Sequence, residues 1–155
     1  NIKYDVYDHP SLHTVEESKK LRGKIEGNHT KNLFLKNKKN NFFLFSCQES
    51  GVVDLKQLKK SLNLGNISFA GDLHLKNILG VKPGSVTPFG LLNDQNNEIK
   101  FFLDKKILLH KKVNFHPMVN TSTVSMDTND FLLFMKKNNK LVNIFNFDNY
   151  TVENE

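Results

Sequence analysis

Two β-type runs, Thr30 to Leu35 and Phe42 to Gln48, flank the polar turn Asn37-Lys38-Lys39-Asn40-Asn41. Runs of that type and spacing predict a β-hairpin, and the elements around it are short. Thr14-Val15-Glu16-Glu17 reads as a capping box that opens a helix ending near Gly23. Asp54 is placed to cap a helix with Leu55, Leu58 and Leu62 on one face. Ile67 to Ala70 reads as a strand, and Asp72 to Leu79 as a helix stopped by Gly80. Pro83-Gly84 suits the centre of a type II turn. Glu98 to Leu103, Val113 to His116, Thr121 to Met126 and Leu141 to Phe147 are further strands, with a helical turn at Leu108-Leu109. Asp127 caps a last helix that buries Phe131, Phe134 and Met135. Several links are too short for parallel crossovers. The expectation is therefore an α+β fold: one domain over residues 1–155, with a curved mixed β-sheet packed by short helices.

Within the hairpin, Lys31-Asn32 directly precedes the apolar run Leu33-Phe34-Leu35. An ammonium group at the entrance of a buried strand is costly unless it has a partner, and a substrate is one candidate for that partner. Net charge is +6, which favours a polyanion such as nucleic acid. The basic residues are 21 Lys and one Arg beside 21 Asn, a bias that base composition alone can produce. Charge is thus compatible with nucleic acid without establishing it. Lys56, Lys59 and Lys60 line the outer face of the Asp54 helix, either as a solvated face or as contacts to a phosphate backbone.

The 155 residues suffice for one sizeable core. No apolar run reaches membrane-span length, no signal-peptide pattern is present, and the single Cys47 forms no intrachain disulfide. A cytoplasmic protein without membrane association is expected, and the start at Asn1 allows for a trimmed or partial chain. The sequons at Asn28, Asn66, Asn120 and Asn149 are then chance products of the Asn content. GxSxG, Walker lysine and GxGxxG motifs are absent from the sequence. Pro10 between His9 and His13 argues against a metal-binding helical face. Cys47, within an apolar strand, reads as a small core residue, and His74 and His110 as structural or exposed.

Three segments remain: "HTKNLFLK", "VKPGSVTPFG" and "NFHPMVNTSTVS". Each sets small polar groups or exposed backbone beside strand-like residues, and together they can line a pocket. In the longer stretches "TVEESKKLRGKIEGNHTKNLFLKNKKNNFFLF", "LGVKPGSVTPFGLLND" and "VNFHPMVNTSTVSM", the chain resembles the free-standing prolyl-tRNA editing proteins. These are PrdX-like relatives of the bacterial YbaK proteins and of the editing insertion domain of bacterial prolyl-tRNA synthetases. The resemblance runs from about Pro10 to Phe147 in the expected order. It implies a YbaK-like fold and hydrolysis of alanine wrongly attached to proline tRNA, with no metal or other cofactor.

The match puts Lys31 at the family's essential lysine with Asn32 beside it, Gly84 in the substrate loop, His116 in the histidine-proline segment and Asn120 after it. These imply a catalytic set of Lys31, Asn32, Gly84 and His116. Substrate contacts are then expected from Thr30, Ser85 and Asn120. Ile25 and Leu33 are the candidate walls that exclude a prolyl ring, with a plain core role as the alternative. The implied partners are alanine-mischarged tRNA(Pro) and, beside it, prolyl-tRNA synthetase. Two rival readings stay open: a deacylase for another small aminoacyl ester such as cysteinyl-tRNA(Pro), and a non-catalytic module that binds the tRNA end.

Overall fold

The strand β3 (Phe42–Gln48) is the centre of the molecule, and Phe42 through Cys47 are all buried. Successive side chains of a strand point to opposite faces, so β3 feeds two cores at once. Phe42 and Leu44 join Phe34, Phe101, Leu103, Phe115 and Phe131 on one side. Phe43 and Phe45 join Leu35, Leu58, Phe102 and Phe145 on the other. A strand covered on both faces needs a continuous apolar run, which is what FFLF supplies. Phe45 stacks on its cross-strand partner Phe102 at 4.7 Å and 8°, and meets Phe145 edge-on at 6.1 Å.

A computed structural model describes residues 2–11 and 25–153. The capping box at Thr14–Glu17 and its helix lie outside the described residues. Around β3 stand β1 (Tyr4–Asp8), β2 (Asn28–Asn37), β4 (Ile67–Phe69), β5 (Ile99–Asp104), β6 (Lys112–Phe115), β7 (Ser122–Asp127), β8 (Val142–Asn146) and β9 (Thr151–Val152). They form one nine-stranded sheet in the order β1-β7-β6-β2-β3-β5-β8-β9, with β4 beside β2. The sheet is mixed, as expected. β2–β6, β3–β5 and β5–β8 are parallel, and the other pairs are antiparallel.

The helices begin where the sequence places their caps. Asp54 accepts from the backbone of Lys56 at the start of α1 (Leu55–Ser61), and Leu58 is buried against the Phe45 side. Asp127 does the same for α3 (Thr128–Lys137), which buries Phe131 and Met135 and leaves Phe134 half-buried. The helix expected from Asp72 to Leu79 is α-helical only over Asp72–His74 (α2) and continues as a π-helical turn over Leu75–Leu79. Gly80 ends it in the left-handed region, φ +72°. Three elements escape the sequence reading: β1, β9 and a 3₁₀ turn at Pro88–Asn93.

Truncating the stacked centre tests this architecture. Phe45→Ala removes a fully buried ring and should cost about 3–5 kcal/mol in urea unfolding. Cys47 offers a second check, because it is 1% exposed and burial pushes its thiol from 9.0 up to about 12, against a smaller opposing pull from the Lys31 charge. The folded state therefore holds the proton more tightly than the unfolded one. Stability from this group is complete below pH 9 and is lost as pH rises from about 9 toward 12. Cys47→Ala should flatten the alkaline fall of the urea midpoint relative to wild type.

Candidate functional site

β2 changes partners along its length. Asn28 and His29 pair in parallel with Val113 and Asn114 of β6. Thr30 to Lys36 then pair antiparallel with β3, while β4 joins the other edge at Leu35. Between β6 and β4, no strand among the described residues pairs with Thr30–Leu33 on the edge opposite β3. The Phe34 carbonyl points away from β3, accepting from Ala70 N–H at 2.9 Å. By the alternation of antiparallel ladders, Asn32 also turns its backbone N–H and C=O toward this open edge.

The same alternation separates two of the expected site residues. Asn32 lies on the Phe34 face, where its carboxamide oxygen accepts from the Ser46 hydroxyl. Lys31 lies on the opposite face with Leu33 and Leu35. Its ammonium donates to the Gly51 carbonyl, so the half-buried lysine has a partner within the chain and does not depend on a substrate for one. An ammonium carries three donors. Gly51 is two residues beyond Glu49, at most about 7 Å of extended chain, and Glu49 lines a polar cavity.

That cavity has a volume of about 20 Å³ and is lined by His29, Thr30, Glu49, Asn114, His116 and Thr123, with Phe115. Thr30 donates its hydroxyl to the Asn114 carbonyl at 2.8 Å, tying β2 to β6. His29 Nε2 faces the Ile25 carbonyl at 2.9 Å, and His116 Nδ1 faces the Ser122 carbonyl at 3.3 Å. A ring nitrogen against a carbonyl must donate. A neutral His116 therefore keeps its lone pair on Nε2.

The substrate-loop residues gather at a second cavity, of about 510 Å³. The Ser85 N–H donates to the Lys82 carbonyl at 3.1 Å and Gly84 sits at φ +85°, the type II turn expected at Pro83-Gly84. Pro83 and buried Ser85 line this cavity together with Asn120 and Thr121. Met118 belongs to its wall too, and its φ of +69° is an uncommon conformation for a side chain other than Asn. The structure thus brings Thr30 and His116 together at one cavity, and Ser85 and Asn120 at another. The segment His116-Pro117-Met118 links the two. Ile25 is half-buried, and Leu33 packs on the Phe45 core.

Sequence reasoning passed over Asn114. Its amide Nδ2 donates to the Glu26 carbonyl at 3.0 Å and, more weakly, to the Asn28 carbonyl at 3.4 Å. Gly27 makes room for it: a Cβ there would lie 3.0 Å from Nδ2 and 2.9 Å from the Lys112 Cβ, and φ is +103°. Among the described residues, no group of three His, Cys, Asp or Glu side chains could hold a metal. No described helix is long and apolar enough to cross a membrane.

Comparison with known proteins places these features in a family. A family model for the aminoacyl-tRNA editing domain matches residues 9–134. The mouse "Prolyl-tRNA synthetase associated domain-containing protein 1" is 38% identical over 152 residues, covering 95% of this chain and 89% of the relative. The "Prolyl-tRNA editing protein ProX" of Acetoanaerobium sticklandii is 31% identical over 138 residues, covering 88% and 84%. A solved structure described as a trans-editing enzyme for prolyl tRNA synthetase shares the fold, with a TM-score of 0.68 at 17% identity over 98% of this chain and 87% of that one. The chain belongs to the aminoacyl-tRNA editing domain family, and its activity class is the hydrolytic deacylation of aminoacyl-tRNA.

Proposed function

We infer that this protein hydrolyses alanine from mischarged tRNA(Pro), acting in the cytoplasm beside prolyl-tRNA synthetase. The observation that carries this reading is the open edge of β2. Thr30 and Asn32 sit there, next to a polar cavity that contains His116, in a chain of the editing family. The names of the prolyl-tRNA relatives support the choice of tRNA.

In this mechanism the aminoacylated 3′ end lies along the open edge. Lys31 turns from the Gly51 carbonyl, or uses its remaining donors, to hold the tRNA end and the developing oxyanion. Asn32 and the turn at Gly84 hold the amino acid and its ester, with Ser85 and Asn120 on the flank. His116 polarises the pocket through Nε2. Water attacks the ester carbonyl, assisted by the neighbouring hydroxyl of the terminal ribose. Fixing water and ester together supplies much of the acceleration. A second site is useful because alanine is smaller than proline. A synthetic site discriminates against missing methylenes by only about 1–3 kcal/mol each.

Lys31→Ala should lower kcat/KM for alanyl-tRNA(Pro) by about 100-fold or more. The loss of one hydrogen bond to Gly51 should cost only about 1 kcal/mol in the melt. Near-wild-type turnover in that variant excludes the anchoring role. A panel of aminoacyl-tRNAs tests the sieve. Alanyl-tRNA(Pro) should be hydrolysed about 100-fold faster than prolyl-tRNA(Pro), a gap of about 2.7 kcal/mol. Trimming a true wall, Ile25→Ala or Leu33→Ala, should narrow that gap. Equal rates for the two esters in the wild type exclude a sieve, and binding without hydrolysis of any ester indicates a tRNA-end module.

A further inference from the structure

Two acid-free stretches hold the positive charge of this chain. Residues 28–48 and 55–71 contain seven lysines and no Asp or Glu. The whole chain has 22 basic and 16 acidic side chains, so its net charge of +6 lies within these stretches and the remainder is nearly balanced. A compositional bias toward Lys and Asn spreads lysine along a chain, but it does not clear acids from two separate stretches. At the chain's average density, stretches of this combined length would hold about four acids.

The fold joins the two stretches into one surface. β4 pairs with β2, with Lys36 opposite Ser68. At the hairpin tip, Asn37 Nδ2 donates to the Leu64 carbonyl at 3.2 Å, and Lys59 Nζ donates to Asn66 Oδ1 in the same loop. Lys38 and Lys39 of the tip are thus set beside the end of α1, where helical spacing puts Lys56, Lys59 and Lys60 on one side. All five are exposed. Their charges are uncompensated. The lysine ion pairs among the described residues involve Lys105, Lys106 and Lys112 instead, and Asp54 turns its carboxylate onto the Lys56 N–H.

This surface runs up to the proposed ester site. Phe69 of β4 stands opposite Leu35, so it lies on the Lys31 side of the sheet, as α1 does. It is 59% exposed, at the point where β4 ends and the open edge of β2 begins. At 3.3 Å per residue, Asn37 at the tip stands about 20 Å along β2 from Lys31. At about 3.4 Å per stacked nucleotide, an RNA end seated at Lys31 has by then passed from its few unpaired nucleotides into the duplex.

We propose that the hairpin tip, α1 and Phe69 form the docking surface for the acceptor arm of the substrate tRNA. The lysines of the tip and α1 face the phosphates of the duplex, and an unpaired base near the 3′ end stacks on Phe69. Phosphate contacts of this kind set register and orientation without reading sequence, and an aromatic face accepts any base. The assignment rests on the deacylase reading above and adds the surface that presents the ester to its site.

Binding and turnover together test it. A variant combining Lys38→Gln, Lys39→Gln, Lys59→Gln and Lys60→Gln should bind unacylated tRNA(Pro) about 30-fold more weakly, with a log–log salt dependence shallower by about 3. Its kcat/KM should fall in proportion on alanyl-tRNA(Pro). On alanine esterified to a CCA trinucleotide, too short to reach the lysines, it should stay within about threefold of wild type. Phe69→Ala should lower kcat/KM about tenfold on both esters. A control with Lys3, Lys111, Lys136 and Lys137 each replaced by Gln removes four exposed charges outside the two stretches, and should bind tRNA(Pro) within about threefold of wild type. The proposal is overturned by unchanged affinity and salt dependence in the first variant, by an equal loss in the control, by an equal loss on the trinucleotide, or by full activity of Phe69→Ala. Should the wild type leave alanyl-tRNA(Pro) intact, the substrate reading fails alone, because the tRNA-binding comparison needs no hydrolysis and still decides the docking surface.

Discussion

The exchange of partners along β2 is the constraint on which the rest of this structure depends. A strand paired on both edges throughout has no backbone to offer a ligand. Here β6 releases β2 after His29 and β4 does not take it up until Leu35. The interval holds Thr30–Leu33, anchored on the other side by antiparallel pairing with β3. Rigid support on one edge and freedom on the other is the arrangement a preorganised site requires.

The cores explain how the chain tolerates polar residues so near its centre. Phe45, Phe102 and Phe145 on one side, and Phe101, Phe115 and Phe131 on the other, anchor two separate apolar layers. Against them, Ser46, Asn28, Asn114, Thr123 and Ser125 are buried polar side chains clustered toward β2, β6 and β7. Ser46 is tied to Asn32, Asn114 to the Glu26 carbonyl and Thr123 to His9.

Local signals carried most of the legible information. The hairpin, both aspartate caps and the Pro83-Gly84 turn depend on neighbours within a few residues, and all were readable. The 3₁₀ turn at Pro88–Asn93 had a signal that was passed over: Thr87 caps it and Pro88 occupies its first turn. β1 had little, since all five of its residues are exposed, and its strand character comes from pairing with β7. The site divides the same way. Strand alternation alone would have set Lys31 and Asn32 on opposite faces. The Gly51 partner of Lys31 and the contacts of Asn114 with Thr30 and Glu26 arise from chain segments brought together by the fold, and no spacing in the sequence reveals them. The family resemblance supplied the activity class, which residue patterns by themselves did not.

The cavity is also a seam between early and late structure. His29 and Glu49, which both line it, are joined within one hairpin by the Glu49 N–H donating to the His29 carbonyl at 2.9 Å, and a short loop of that kind closes quickly. Thr30 and Asn114 are 84 residues apart, and their contact closes a much longer loop at greater entropic cost. Half of the cavity can therefore form with the hairpin, while the other half waits for β6 and β7 to arrive. By the same reasoning, native-state fluctuations that lift β6 from β2 would dismantle the cavity while the Phe45 core, to which β6 contributes nothing, stays intact. The protein can lose its site well before it loses its fold.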